Sequence, residues 1–287
     1  MDQVQIGTTT QAAQGTHHAG AQVHWPEAFM EALGLGVFMV CAGVFGTWLE
    51  FPGSAVHQAI PSAFVRRVVM GALMGVTAIG LVYSPWGKRS GAHINPAVTL
   101  TFLRLGRVQP RDAVVYVVAQ FLGGLAGVMI VVAWLGDAFV SHPVDGVATV
   151  PGMAGVAAAF MGEAAISFVL MLLVLTLGRS ARLSPYTGLF VGCMVCLYIT
   201  FEAPVSGMSM NPARTLASAI PTGHWQGLWI YFTAPPLGML TAAELQLRFT
   251  RNRADGCAKL FHKFPCIFCG RQERAELSAN AHRAHAE

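Results

Sequence analysis

Charge is what this chain has least of. Only 11% of its 287 residues are Asp, Glu, Lys or Arg, against 54% hydrophobic. A soluble domain carries about 25% charged residues, enough to clothe a water-facing surface. This chain has too few, which excludes an ordinary soluble domain and makes the lipid bilayer its first expected partner. The first 24 residues hold no Lys or Arg at all. A cleaved signal peptide opens on a basic stretch followed by a short apolar run. With neither in place, the segment reads as a disordered tail, with His17, His18 and His24 part of it and not a metal site. Net charge is +4 with no basic stripe, so no nucleic-acid partner is expected.

What the chain does have is long apolar runs. A membrane-crossing helix needs about 20 largely apolar residues. Six stretches qualify, near 27–50, 64–84, 111–135, 153–178, 186–204 and 225–247. Two gaps, 85–110 and 205–224, each hold a helical pattern about half the crossing length. They also hold nearly the same phrase. SGAHINPAVTL at 90–100 and SGMSMNPARTL at 206–216 agree at seven of eleven places.

A second marker follows the same repeat: Glu31 lies in the first span and Glu163 in the fourth. The chain therefore reads as two copies of one unit, each with three spans and a half-span. Three is odd, so the second copy enters the membrane inverted. Inverted repeats with broken helices build sites at the bilayer midplane. With both termini in the cytoplasm, 15 basic residues fall inside and 2, Arg66 and Arg67, outside, with Arg214 in the membrane. That agrees with the positive-inside bias.

Irregular backbone at membrane depth is tolerated only where protein buries it or where it lines water. Asn95-Pro96-Ala97 and Asn211-Pro212-Ala213 supply a helix start at each such place. Asn caps free N–H groups, Pro suits the first helical position and Ala is the best helix former. Inversion brings the two starts together. Each helix N-terminus adds partial positive charge, and the Asn amides are expected to keep their N–H groups free for a lumen. Water oxygen would be held there and a cation repelled.

On these two motifs and the paired glutamates, residues 27 to 247 resemble the aquaporin (major intrinsic protein) family. The resemblance implies an all-α membrane protein of six spans and two re-entrant half-helices. It implies a homotetrameric, non-enzymatic channel in the cell (plasma or inner) membrane for water and small neutral solutes, needing no cofactor. It assigns Arg214 as the filter that rejects cations, His93 as pore lining, and Glu31 and Glu163 as carboxylates holding the loops. The remaining filter positions fall on Ile199, Met208 and Met74, or Gly75 in place of Met74. Water-selective relatives carry a His where Ile199 stands, so this filter is expected to be less polar. Against glycerol-type relatives, Thr215, Ala219 and Tyr231-Phe232 favour the water branch. Ammonia, hydrogen peroxide and glycerol remain alternative solutes, and a closed-pore scaffold an alternative role. Gly207-Met208-Ser209 resembles the nucleophile turn of intramembrane serine proteases, but the last span offers no His as base.

The chain thus divides into a tail at 1–25, a channel domain at 26–247 (repeats near 26–136 and 150–247) and a basic tail at 248–287. Gly123, Gly124 and Gly127 form a face suited to close helix packing. In the second tail, Cys257, His262, Cys266 and Cys269 follow the pattern C-x4-H-x3-C-x2-C, which reads either as a donor set for tetrahedral zinc or as the stray thiols of a solvated tail.

Overall fold

A computed structural model of the chain describes residues 23–249, 257–261 and 266–268, and among these residues it is helical without a strand. Three long helices make the first half, with a half-helix set between the second and third: α1 (Trp25–Glu50), α2 (Ala63–Tyr83), the half-helix α3 (Pro96–Arg104) and α4 (Pro110–Leu135). The second half repeats the order as α5 (Gly155–Leu177), α6 (Thr187–Phe201), the half-helix α7 (Pro212–Thr222) and α8 (Leu228–Phe249). Helices α1, α2, α4 and α5, and α6 together with the 3-10 turn Ser184–Tyr186 that leads into it, are long and apolar enough to cross a membrane. The sixth expected span, α8, has 22 residues but carries Pro235, Pro236 and Arg248. Its Glu244 pairs at 2.6 Å with Arg104 at the end of α3.

Packing follows the repeat. Helix α1 lies along α4, α5 lies along α8, and α2 pairs with α6 across the two halves. Glycine permits the closest of these approaches. A Cβ on Gly123 would fall on the Ala32 carbonyl, and one on Gly127 on the Gly36 carbonyl. In the second half, Gly238 stands against the Ala164 carbonyl in the same way. The glycine face of α4 is thus used inside the chain, against α1. We expect Gly127→Val to cost about 2–3 kcal/mol by overpacking. A thermal unfolding scan in detergent should then show a midpoint lowered by roughly 4–12 °C.

The half-helices start where their sequence says they must. The Asn95 side chain accepts from the Ala97 N–H, and Asn211 from the N–H groups of Ala213 and Arg214, with a proline in the first turn of each helix. Each is preceded by a short turn of helix, Pro85–Ser90 and Ala203–Ser206, closed by Gly91 and Gly207 at φ 108° and 83°. That left-handed backbone favours glycine.

Candidate functional site

The two loops ahead of the half-helices hang on buried carboxylates. Glu31 is fully buried in α1 and accepts from the backbone N–H groups of His93 and Ile94 and from the Ser90 hydroxyl. Glu163, fully buried in α5, accepts from the N–H groups of Ser209 and Met210 at 2.6 and 2.7 Å and from the Ser206 hydroxyl at 2.7 Å. The same chemical groups answer one another in both halves. The tyrosines repeat as well: Tyr116 donates to the Ser90 carbonyl and Tyr231 to the Ser206 carbonyl. One asymmetry remains. Gln120 of α4 also donates to Glu31, at 2.9 Å, whereas Pro235 stands four residues beyond Tyr231 and has no donor to offer.

These bonds hold an unusual backbone. Ala92, Ile94, Met208 and Met210 all have positive φ, between 39° and 54°. Such conformations cost non-glycine residues about 1–3 kcal/mol each and persist only where the surroundings enforce them. Here the enforcing groups are the two carboxylates, which grip Ile94 and Met210 directly.

The result is a clasp. The Asn95 amide donates to the Met210 carbonyl at 2.7 Å, and the Asn211 amide donates to the Ile94 carbonyl at 2.8 Å. The two half-helix starts therefore meet, each fastened to the loop of the other. This corrects the expectation that both N–H groups of each amide stay free. One hydrogen of each NH2 ties the loops together, because two carbonyls turned out of helical geometry need donors, and one is left for the lumen.

A cavity of about 460 Å³ among the described residues runs past the clasp. Asn95, Asn211 and Arg214 line it, as do Met74, Ile199, Met208 and His93. Between Met74 and Gly75, Met74 reaches the cavity, while Gly75 abuts the Gly192 carbonyl of α6. Most of the remaining wall is apolar, with Phe38, Val98, Leu170 and Val195 among its members. Arg214 Nη1 is buried without a hydrogen-bond partner among the described residues.

Sequence reasoning missed the far rim, where Glu50 and Arg67 join the lining. Beside them Arg66 donates to Glu50 and to the Ile60 and Pro61 carbonyls, which fixes the loop after α1. It also missed Tyr116 and the bond that Tyr231 makes to the second loop. The signal was present as Tyr-x-x-Ala in both halves, at 116–119 and 231–234.

At the other end, His93 lines the cavity but is only 2% exposed. Its Nδ1 is 3.1 Å from the Thr99 hydroxyl, and its Nε2 donates to the Ala258 carbonyl at 2.8 Å. The ring is thereby a brace between loop and tail rather than a free donor to a lumen. Ser209 is likewise occupied: its hydroxyl donates to the Asn211 carbonyl and contacts Thr215 Oγ1. That is a structural use, not the base-paired geometry of a nucleophile. Of the zinc set, Cys257 and Cys266 come together, while His262 and Cys269 lie outside the described residues. His24 is held by Asp112 at 2.9 Å; His17 and His18 lie outside the described residues.

Comparison with known proteins agrees with this geometry. The family model described as Major intrinsic protein matches residues 20–245. Aquaporin NIP2-1 of Oryza sativa subsp. japonica is 32% identical over 233 residues, 79% of this chain and 72% of that protein. Aquaporin NIP1-2 of the same organism is 38% identical over 223 residues, 74% of this chain and 72% of that one. Among solved structures, the aquaglyceroporin from Plasmodium falciparum superimposes with a TM-score of 0.62 at 20% identity, covering 77% of this chain and 94% of that one, a likeness of fold.

Proposed function

The chain belongs to the major intrinsic protein family, and from that premise we propose that its cavity is a passive channel for water and other small uncharged solutes. The observation that supports this most is the reciprocal clasp of Asn95 and Asn211 beside one lined passage that also holds Arg214. Each amide holds a passing water oxygen with its remaining N–H. Two donors in succession orient water so that it cannot relay a proton through the clasp. Two half-helix N-termini and one guanidinium put positive charge on the path, which disfavours cations.

Selectivity follows from the lining. Met74, Ile199 and Met208 offer no hydrogen bond comparable to a His, so the constriction discriminates weakly among small neutral molecules. Water is the main solute in this reading, with ammonia, hydrogen peroxide or glycerol as further ones. No catalytic step is needed. The protein is integral to the membrane; we place it in the cell membrane with both termini cytoplasmic, since 15 of its 18 basic residues then lie inside. Apolar side chains such as Val118, Leu122, Trp134 and Met161 are exposed and suit lipid or neighbouring copies in a homotetramer.

Stopped-flow shrinkage of proteoliposomes tests the proposal. Water flux well above empty vesicles is expected, with an activation energy near that of free water diffusion. Glycerol, urea and ammonia gradients then rank the solutes. Flux equal to empty vesicles, with folded protein incorporated, would favour a closed scaffold.

A further inference from the structure

Charge at the far rim of the cavity does not balance. Glu50 and Arg67 line the cavity there, and Arg214 lines the same passage. Glu50 is already taken: Arg66 donates to its Oε2 through Nε and Nη2, at 3.1 and 3.0 Å. Arg67 is left with the face of the Phe64 ring, 5.8 Å from its guanidinium carbon. Its Nε is buried without a hydrogen-bond partner among the described residues, and so is Arg214 Nη1. The carboxylates of the neighbouring elements do not supply one. Asp145, in the loop whose Val144 and Val147 line the cavity, stands 3.0 Å from the His142 ring and 3.6 Å from that of His224. Glu163 is filled by Ser206, Ser209 and Met210. Glu202 is outside the lining and lies against Gly162 of α5.

Two buried, unmatched guanidinium donors favour an acceptor that carries negative charge. A carboxylate suits them best, because its two oxygens fit the planar guanidinium fork. The filter positions that accompany Arg214 limit what the carboxylate can carry. Met74, Ile199 and Met208 are apolar. They suit a short alkyl tail, and their side chains offer an anion no N–H or O–H donor for a further step inward. A small carboxylate thus has a reason to enter and a reason to stop.

We propose that this mouth binds small monocarboxylates as anions on Arg67 and Arg214, with the alkyl end on the filter, and that a bound anion blocks water. The inference rests on the channel reading for the block, and on the charge of the rim alone for the binding. An anion about 7 Å from each guanidinium, at an effective dielectric of about 40, is enriched about 50-fold over bulk. Removing one of the two charges lowers that about sevenfold. Each added methylene on the tail tightens binding about fourfold.

The test uses proteoliposomes of the full-length protein, equilibrated on both sides with sodium formate, acetate or propionate near neutral pH, where these acids are ionised. Sodium chloride at the same ionic strength is the reference, and a sucrose gradient drives the shrinkage. Water flux is expected to fall in a saturable way, with the half-blocking concentration lowest for propionate and about fourfold higher at each step to acetate and formate. Acetamide, the neutral counterpart of acetate, should leave flux unchanged. Arg67→Gln, measured against its own anion-free flux, should need about seven times more acetate. Saturation-transfer NMR of the acetate methyl protons, on protein in detergent, reads binding without flux and should weaken in the same variant. No block by any of the three anions, or an equal block by acetamide, overturns the proposal on the native protein alone, whether or not the variant folds. A block that folded Arg67→Gln leaves unchanged overturns the site. Flux no greater than empty vesicles in every arm removes the channel reading and the block; Arg67-dependent acetate binding would then still support the site, and its absence would overturn that too.

Discussion

Replacing Glu163 by leucine is expected to be the most damaging single change in the second half of the molecule. The side chain is fully buried and accepts three hydrogen bonds, from Ser206, Ser209 and Met210. Leucine removes the acceptors and leaves the donors in place. Each buried unsatisfied donor costs about 1–3 kcal/mol, so three of them cost roughly 3–9 kcal/mol. The left-handed backbone of Met208 and Met210 would also lose its support. At roughly 2–4 °C per kcal/mol, the unfolding midpoint in detergent should fall by about 6–36 °C. The loop would slip and the Asn95 amide would lose its Met210 acceptor, so water flux should fall with it. Glu163→Gln keeps one oxygen and should lose about half as much. An unchanged midpoint for Glu163→Leu would mean that the loop is held by something else.

Arg214→Val should change selectivity more than any other substitution on the path. Arg214 lines the cavity and is carried by the first turn of α7. A cation about 5 Å from its guanidinium, at an effective dielectric of about 40, is opposed by about 1.7 kcal/mol. Removing that charge should raise cation conductance by about 10- to 20-fold. Exclusion should not vanish, because the two half-helix dipoles remain. Water flux should hold or increase, since valine is smaller. The readout is ion current across a planar bilayer alongside stopped-flow shrinkage of the same preparation. Conductance equal to that of the native chain would remove Arg214 from the filter.

How much of this could be read beforehand depends on how local the cause is. The half-helix starts were legible because Asn as cap and Pro in the first turn act within three residues of each other. The span boundaries were legible within a few residues because crossing a bilayer fixes the length. Glu31 and Glu163 were legible from the residues only as a repeat, and their hold on the loops came from the family resemblance: their partners lie about 60 and 45 residues away, and nothing near them in sequence names those partners. The second N–H of each Asn was misjudged because the carbonyls of Ile94 and Met210 acquire their need for a donor only once the backbone turns left-handed. Composition described the tail as basic and rich in Cys and His, but its seat on Gly91 and His93 spans more than 160 residues and follows no period.

A density map of the protein in a lipid nanodisc tests the central claim most directly. The account predicts that Asn95 Nδ2 lies within hydrogen-bond reach of the Met210 carbonyl and Asn211 Nδ2 within reach of the Ile94 carbonyl, with single-file solvent density threading between the two amides. Half-helix tips standing apart, or side chains filling the space between the amides, would contradict it.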